Sequence, residues 1–182
     1  MKHLFLTIVL CVSALTAQAQ DYGVLAGIHN TDIDAPNGAP AVDAELGWRA
    51  GLIGKYELSD GVHFRSGALY VDRKFSAGTT GSKVDVKMAY LDIPVLFQFQ
   101  MNETIALFAG PVIGINVGKK LSGSTNNELQ NTKGLYLLAQ AGVNFTFDQI
   151  GFDVYYERGL GEIADDSYEN YSIIGTNFLY WF

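Results

Sequence analysis

The stretch Leu135-Tyr136-Leu137-Leu138-Ala139-Gln140-Ala141-Gly142-Val143-Asn144-Phe145-Thr146-Phe147 decides how the rest of the chain is read. Every second residue from Leu135 to Phe147 is apolar, and the residues between them are mostly polar or small. A period of two over this length is a β-strand with one apolar and one wet face. A strand crossing a bilayer needs about 9–11 residues, and this one is long enough.

The same template, applied outward from this stretch, gives eight strands: Tyr22–His29, Leu46–Leu58, Val62–Phe75, Val84–Gln100, Thr104–Val117, Leu135–Phe147, Ile150–Arg158 and Tyr171–Phe182. Ser59-Asp60-Gly61, Met101-Asn102-Glu103 and Asp148-Gln149 are short enough to be hairpin turns. The other connections, Asn30–Glu45, Ser76–Lys83, Gly118–Lys133 and Gly159–Asn170, read as long loops. An even number of antiparallel strands, with short turns at one end and long loops at the other, is the pattern of an outer-membrane barrel with periplasmic termini.

The faces decide against a soluble barrel. A solvent-facing set of strand positions should be rich in Lys and Glu, whereas the non-apolar face here carries Gly51, Gly67, Gly110, Gly114, Gly142, Gly151 and Gly175. Small residues beside a few charges suit a narrow lumen, with the apolar face turned to lipid. Aromatics gather toward the short-turn end, among them Tyr22, Phe97, Phe147, Phe152, Tyr180 and Phe182, and Trp48, Tyr70 and Tyr156 stand at the other end. Two such belts match the interfacial girdles of a membrane barrel. The fold expected is therefore an all-β, eight-stranded, antiparallel up-and-down transmembrane barrel. Two features resist the pattern. Val84, Val86, Met88 and Tyr90 alternate out of phase with Leu91–Phe99, which calls for a bulge near Tyr90 or an upper part that leaves the bilayer. Pro94 and Pro111 each remove a ladder donor, so irregular pairing is expected around both.

Bulk composition agrees. The 182 residues include 17% charged and 13% aromatic side chains, and 19 Asp plus Glu outnumber 12 Lys plus Arg. An acidic chain lacks the basic face that phosphate backbones require, so nucleic acid is not an expected partner. Lys2, the apolar run Leu4–Leu15 and Ala17-Gln18-Ala19 have the layout of a secretory signal, with residues 1–19 removed and a barrel domain over 20–182. Cys11, the one cysteine, lies within that leader, so thiol chemistry, disulfides and Cys-ligated metals are not expected of the mature chain.

Tyr90-Leu91-Asp92-Ile93-Pro94-Val95-Leu96, followed by Phe108-Ala109-Gly110-Pro111, resembles the paired central strands of the PorT-like outer-membrane β-barrel family. The resemblance runs from end to end and implies an integral outer-membrane barrel, for many members with no defined activity. Gly175, Phe178, Tyr180 and Phe182 resemble the C-terminal signal read by the barrel-assembly machinery, from which Ile173 departs. Outer-membrane lipid, lipopolysaccharide and that machinery are the partners this implies, with a protein partner at the external loops as a further expectation.

The chemistry-bearing residues fall mainly in the lumen. Hairpin geometry sets Leu58 opposite Val62, Glu57 opposite His63, Lys55 opposite Arg65, Asn144 opposite Asp153 and Gln140 opposite Glu157. Lys55, Glu57, His63, Arg65, Asp92, Asp153 and Glu157 then form a candidate luminal charge network. Buried charges must be paired, and eight strands leave an interior that side chains just fill, so a salt-bridged plug is the expectation and a narrow ion or solute path the alternative. A surface enzyme is the rival class. It would need His29 as base, with Asp32 and Asp34 nearby, but no serine follows at a triad-like spacing, and a solvated strand-end histidine is expected instead. Asp32, Asp34 and Asp43 match a calcium loop poorly, since Pro36 takes a ligand slot and Gly38 comes late. Glu162, Asp165, Asp166 and Glu169 read as a solvated loop, as does Gly123–Asn127. No catalytic residue, cofactor or metal is expected. The function expected is a structural, adhesive or partner-binding role through the external loops.

Overall fold

The computed structural model describes residues 21–33, 42–79, 82–122, 134–160 and 171–182. The leader expected over residues 1–19 lies outside them. The described chain forms eight strands: β1 (Asp21–Ile33), β2 (Val42–Ser59), β3 (Val62–Thr79), β4 (Ser82–Gln100), β5 (Ile105–Ser122), β6 (Leu135–Phe147), β7 (Ile150–Gly159) and β8 (Tyr171–Trp181). Each pairs antiparallel with its neighbour in sequence, and β1 pairs with β8 from Gly23↔Trp181 to Ile33↔Tyr171, closing the barrel. Closure leaves no unpaired edge, which a sheet in hydrocarbon cannot tolerate.

The turns form for local reasons. Gly61 at φ 72° and Asp148 at φ 52° supply the left-handed backbone that tight reversals need. Between β4 and β5, the Asn102 side-chain oxygen accepts from the amides of Thr104 (2.9 Å) and Ile105 (2.8 Å) and ties the turn.

Strand lengths divide the wall in two. β2 to β5 run 18, 18, 19 and 18 residues, while β6, β7 and β8 run 13, 10 and 11. The short strands match a bilayer, so the long ones project beyond it at the end opposite the termini. Several expected loops shrink accordingly. β1 continues to Ile33, β5 continues to Ser122, and the β3–β4 ladder runs on to Thr79↔Ser82, so most of the loop expected over Ser76–Lys83 is strand.

The direction of the faces follows from burial. Leu52 is 60% exposed, Ile174 64% and Leu46 60%, all on the outside, whereas Arg49, Arg65, Arg73, Asp92, Asp153 and Glu157 on the opposite face lie inside at 3% or less. Apolar outside and polar inside is the arrangement of a barrel in lipid. Tyr22, Phe97, Phe99, Phe152, Phe178 and Phe182 are exposed toward the short-turn end, and Trp48, Tyr70 and Tyr156 toward the other. Many of these rings touch across strands: Phe152 and Phe178 stand 5.4 Å apart edge to face, and Trp48 and Tyr70 also 5.4 Å.

Strand β4 corrects the expected change of phase. Val86, Met88, Tyr90, Asp92, Pro94, Leu96 and Gln98 all point inward without interruption. What changes is the chemistry of the lumen, which is apolar above Asp92. The bulge near Tyr90 does exist, but on the partner strand: Ala89 pairs with Gly118 and Tyr90 with Asn116, leaving Val117 extra. A second irregularity lies in β2 between Ala44 and Trp48, and a third between Glu57 and Ser59 sets Ser59, not Leu58, opposite Val62. Around Pro94 the ladder lapses between Ser66↔Val95 and Leu69↔Asp92 without slipping, and near Pro111 it lapses between Pro94↔Val112 and Phe97↔Ala109 in the same way. The prolines interrupt pairing and leave register intact.

Candidate functional site: the luminal charge chain

Three arginines project into the lumen from the tall wall, Arg49 from β2 and Arg65 and Arg73 from β3. Each meets a carboxylate. Arg49 Nη1 lies 2.6 Å from Glu157 Oε1, Arg65 Nη2 lies 2.9 Å from Asp153 Oδ2, and Arg73 Nη2 lies 2.5 Å from Asp92 Oδ2. All six residues are 3% exposed or less. Further bonds join the pairs. Glu157 Oε2 stands 3.8 Å from Arg73 Nη2. Arg49 Nε donates to Asn177 Oδ1 at 2.7 Å, and Asn177 Nδ2 donates to Asp153 Oδ2 at 3.0 Å. Asp153 Oδ1 also accepts from Asn144 Nδ2 at 2.8 Å, and Arg65 Nη1 donates to Gln98 Oε1 at 3.1 Å. The result is one continuous run, Asp92–Arg73–Glu157–Arg49–Asn177–Asp153–Arg65–Gln98, that crosses the lumen and matches its charges one to one.

Aromatic faces complete the guanidinium shells. Arg49 Cζ sits 3.7 Å from the Tyr155 ring centroid, Arg73 4.5 Å from Tyr90 and Arg65 5.0 Å from Phe108. A planar guanidinium can stack and donate at once, which a lysine ammonium cannot do as well. Above this level the lumen is filled by Val71, Phe75, Val86, Met88, Leu138 and Ile173, each 2% exposed or less. Below it lie Leu25, Leu179 and Trp181.

The seven residues expected to form the luminal network divide here. Arg65, Asp92, Asp153 and Glu157 belong to the chain. Lys55 sits lower, half-buried, with its Nζ 2.9 Å from Asp21 Oδ2 and 5.1 Å from the Trp181 ring centroid. Glu57 is exposed and His63 half-buried near the short-turn end, so neither joins the buried chain. The hairpin pairs Glu57↔His63, Lys55↔Arg65, Asn144↔Asp153 and Gln140↔Glu157 are all present. Arg49 and Arg73 were absent from the expected network although both lie on the inward parity. Their partners come from β7 and β4, and the β2–β7 contact spans the barrel, which no hairpin geometry reveals.

His29 corrects a second expectation. It is 2% exposed, inside the lumen, and neither ring nitrogen has a hydrogen-bond partner. Its ring fits because Gly47 is opposite: a Cβ there would stand 2.5 Å from His29 Nε2. Gly175 leaves room on the other side, where a Cβ would meet Tyr155 Cζ at 2.5 Å. Of the C-terminal residues, Gly175 faces in, while Phe178, Tyr180 and Phe182 face out. Ile173 is buried in the upper lumen. Asp32 and Asp43 are exposed, and no group of three potential metal ligands occurs among the described residues. Asp34, Pro36, Gly38, Gly123–Asn127, Glu162, Asp165, Asp166 and Glu169 lie outside the described residues.

A closed eight-stranded barrel, apolar outside and charge-matched inside, defines a class: the small transmembrane β-barrels. The chain belongs to the outer membrane protein beta-barrel domain family, whose model matches residues 16–165. Among solved structures it is similar to Neisserial surface protein A, with a TM-score of 0.57 and 10% identity over 88% of this chain and 97% of that one. It also resembles the attachment invasion locus protein Ail of Yersinia pestis, with a TM-score of 0.48 and 16% identity over 88% and 98%. OprG of Pseudomonas aeruginosa gives 0.45 and 12% over 90% and 96%. At these identities the likeness is one of fold. No curated protein matches the chain.

Proposed function

We propose that the protein is a non-catalytic outer-membrane barrel with a sealed lumen, acting through its outer surface and through the segments that join strands at the end opposite the termini. The observation that carries this reading is the charge chain. Among the described residues, three arginines and three carboxylates neutralise one another at mid-lumen, with apolar side chains above them, so this level offers no unmatched charge to attract an ion. An eight-stranded barrel has an interior that side chains just fill, and a conducting path would need water among them.

Among the described residues no histidine forms an acid–base pair at the end opposite the termini, which supports a structural, adhesive or partner-binding role over catalysis. His29, the one described histidine at that end, is enclosed and neither ring nitrogen has a hydrogen bond that would orient it. The resemblance of Tyr90–Leu96 and Phe108–Pro111 to PorT-like barrels supports the same role. In this reading the surrounding partners are outer-membrane lipid and lipopolysaccharide. The outward Phe178, Tyr180 and Phe182 meet the barrel-assembly machinery during insertion, and a protein partner is met at the external segments.

The test is conductance of the refolded protein in a planar bilayer, with Arg65→Ala and Glu157→Ala beside it. The wild-type barrel is expected to pass no unitary current. Steady wild-type openings that change size or ion preference in either variant would replace this reading with a channel.

A further inference from the structure

The outer wall carries two recesses that share Trp48. The lower, about 670 Å³, has a floor of small residues, Ala26, Ala50 and Thr176, between the larger Ile28, Trp48 and Phe178. The floor is continuous because Ala50 pairs directly with Ala26 across β1 and β2. The upper, about 400 Å³, lies between Trp48, Tyr70, Asp72, Lys87, Val117 and Gly118. Two irregularities frame it, one in β2 just before Trp48 and one at Val117 in β5. Bulges re-aim side chains and deepen local twist. Together the recesses make one track that passes the aromatic belt.

The charges along the upper part have an unusual arrangement. Lys74 pairs in register with Lys87, and Lys87 with Lys120, so lysines occupy three directly opposed positions on β3, β4 and β5. Like charges directly opposite destabilise a sheet unless something neutralises them. Asp72 answers Lys74 at 3.0 Å. Lys87 is exposed, and none of the ion pairs among side chains that the structure describes involves it. It stands just beyond the Trp48–Tyr70 pair, at the level where a bilayer changes from hydrocarbon to headgroup.

We propose that this track seats a lipid of the outer leaflet whose phosphate leaves it net anionic, with that phosphate at Lys87 and one acyl chain lying past Trp48 over Ala50 and Ala26. Lys87 supplies the anion preference, and the small-residue floor supplies the space. The proposal goes beyond the sealed lumen and depends only on the orientation of the barrel in the membrane.

The protein reports on this site by itself. It has two tryptophans. Trp48 faces out at 44% exposure, and Trp181 faces the lumen at 7%. The protein is refolded into phosphatidylcholine vesicles holding a minor fraction of acyl-brominated phosphatidylglycerol, or the same fraction of acyl-brominated phosphatidylcholine, and tryptophan quenching is compared. Anionic lipid is expected to quench with a preference of about fivefold, the effect of about one interfacial cation. Lys87→Gln, an exposed change that leaves folding intact, should bring the preference close to unity. Ala50→Leu should reduce quenching by both lipids, with folding checked by heat-modifiable gel mobility. Equal quenching of the wild type by the two lipids, or a preference that survives Lys87→Gln, would overturn the proposal. So would a Trp48 shielded from both lipids, as a second copy of the chain seated on this wall would produce.

Discussion

The middle and the top of the lumen are both buried, and they are held by opposite means. In the middle, Arg49, Arg65 and Arg73 pass charge to Glu157, Asp153 and Asp92 through bonds of 2.5–2.9 Å. At the top, Phe75, Val86, Met88 and Leu138 touch without a charge among them. Strands β3 and β4 contribute to both levels, with unbroken alternation of their inward residues. The apolar level contributes through burial and contact, so truncation there costs the lost surface and the cavity. In the charged level each group is tolerable only because its partner is present. Pairing roughly offsets the desolvation that burial costs, so that level adds specificity of closure more than net stability.

That contrast ranks the substitutions. Glu157→Ala should do the most damage, because it uncovers Arg49 and weakens the surroundings of Arg73. A loss of about 3–5 kcal/mol is expected for breaking a buried pair, measured by urea unfolding of the reconstituted barrel. Leu138→Ala in the apolar level should cost about 2–5 kcal/mol, with no change in the salt dependence of unfolding. A loss under about 1 kcal/mol would mean that this level is packed more loosely than its burial indicates. Gly142→Ala should cost about 1–3 kcal/mol by overpacking, since a Cβ there would crowd both the Val154 backbone oxygen and Phe108 Cζ, the latter at 2.5 Å; Phe108→Leu should recover only the part of the loss that the ring causes. The smallest effect belongs to Asp21→Asn. The Asp21–Lys55 pair is at the rim, with side chains 44% and 21% exposed, and surface pairs contribute about 0–1 kcal/mol. A larger loss there would mean the lower rim is drier than its exposure indicates.

How much of this was legible in the sequence depends on distance along the chain. The period of two located all eight strands, and the short turns set four opposed pairs correctly, because a hairpin fixes register locally. The exception, Leu58 opposite Val62, failed by one residue where the strand bulges. Arg49 and Glu157 could not be joined from sequence, since their meeting depends on how strands far apart in order come to face each other around a closed lumen. The phase change in β4 left two explanations open, a bulge near Tyr90 or an upper part leaving the bilayer. The second accounts for β4, whose Val86, Met88 and Tyr90 form an internal apolar level in the part of the wall that rises beyond the bilayer, while the bulge lies on β5. His29 was misplaced because Gly47 and Gly175, one on each neighbouring strand, make the room that encloses it.

The central claim is that the luminal charges are dry and matched to one another. A double-mutant cycle on Arg65 and Asp153, read by equilibrium unfolding in lipid, tests it most directly. Arg65→Ala and Asp153→Ala should each destabilise strongly, by about 3–5 kcal/mol, while joint replacement by Met and Leu should fall within about 1 kcal/mol of wild type or exceed it. Single variants that each cost under about 1 kcal/mol and simply add would mean that water already reaches the pair, and would contradict a sealed lumen.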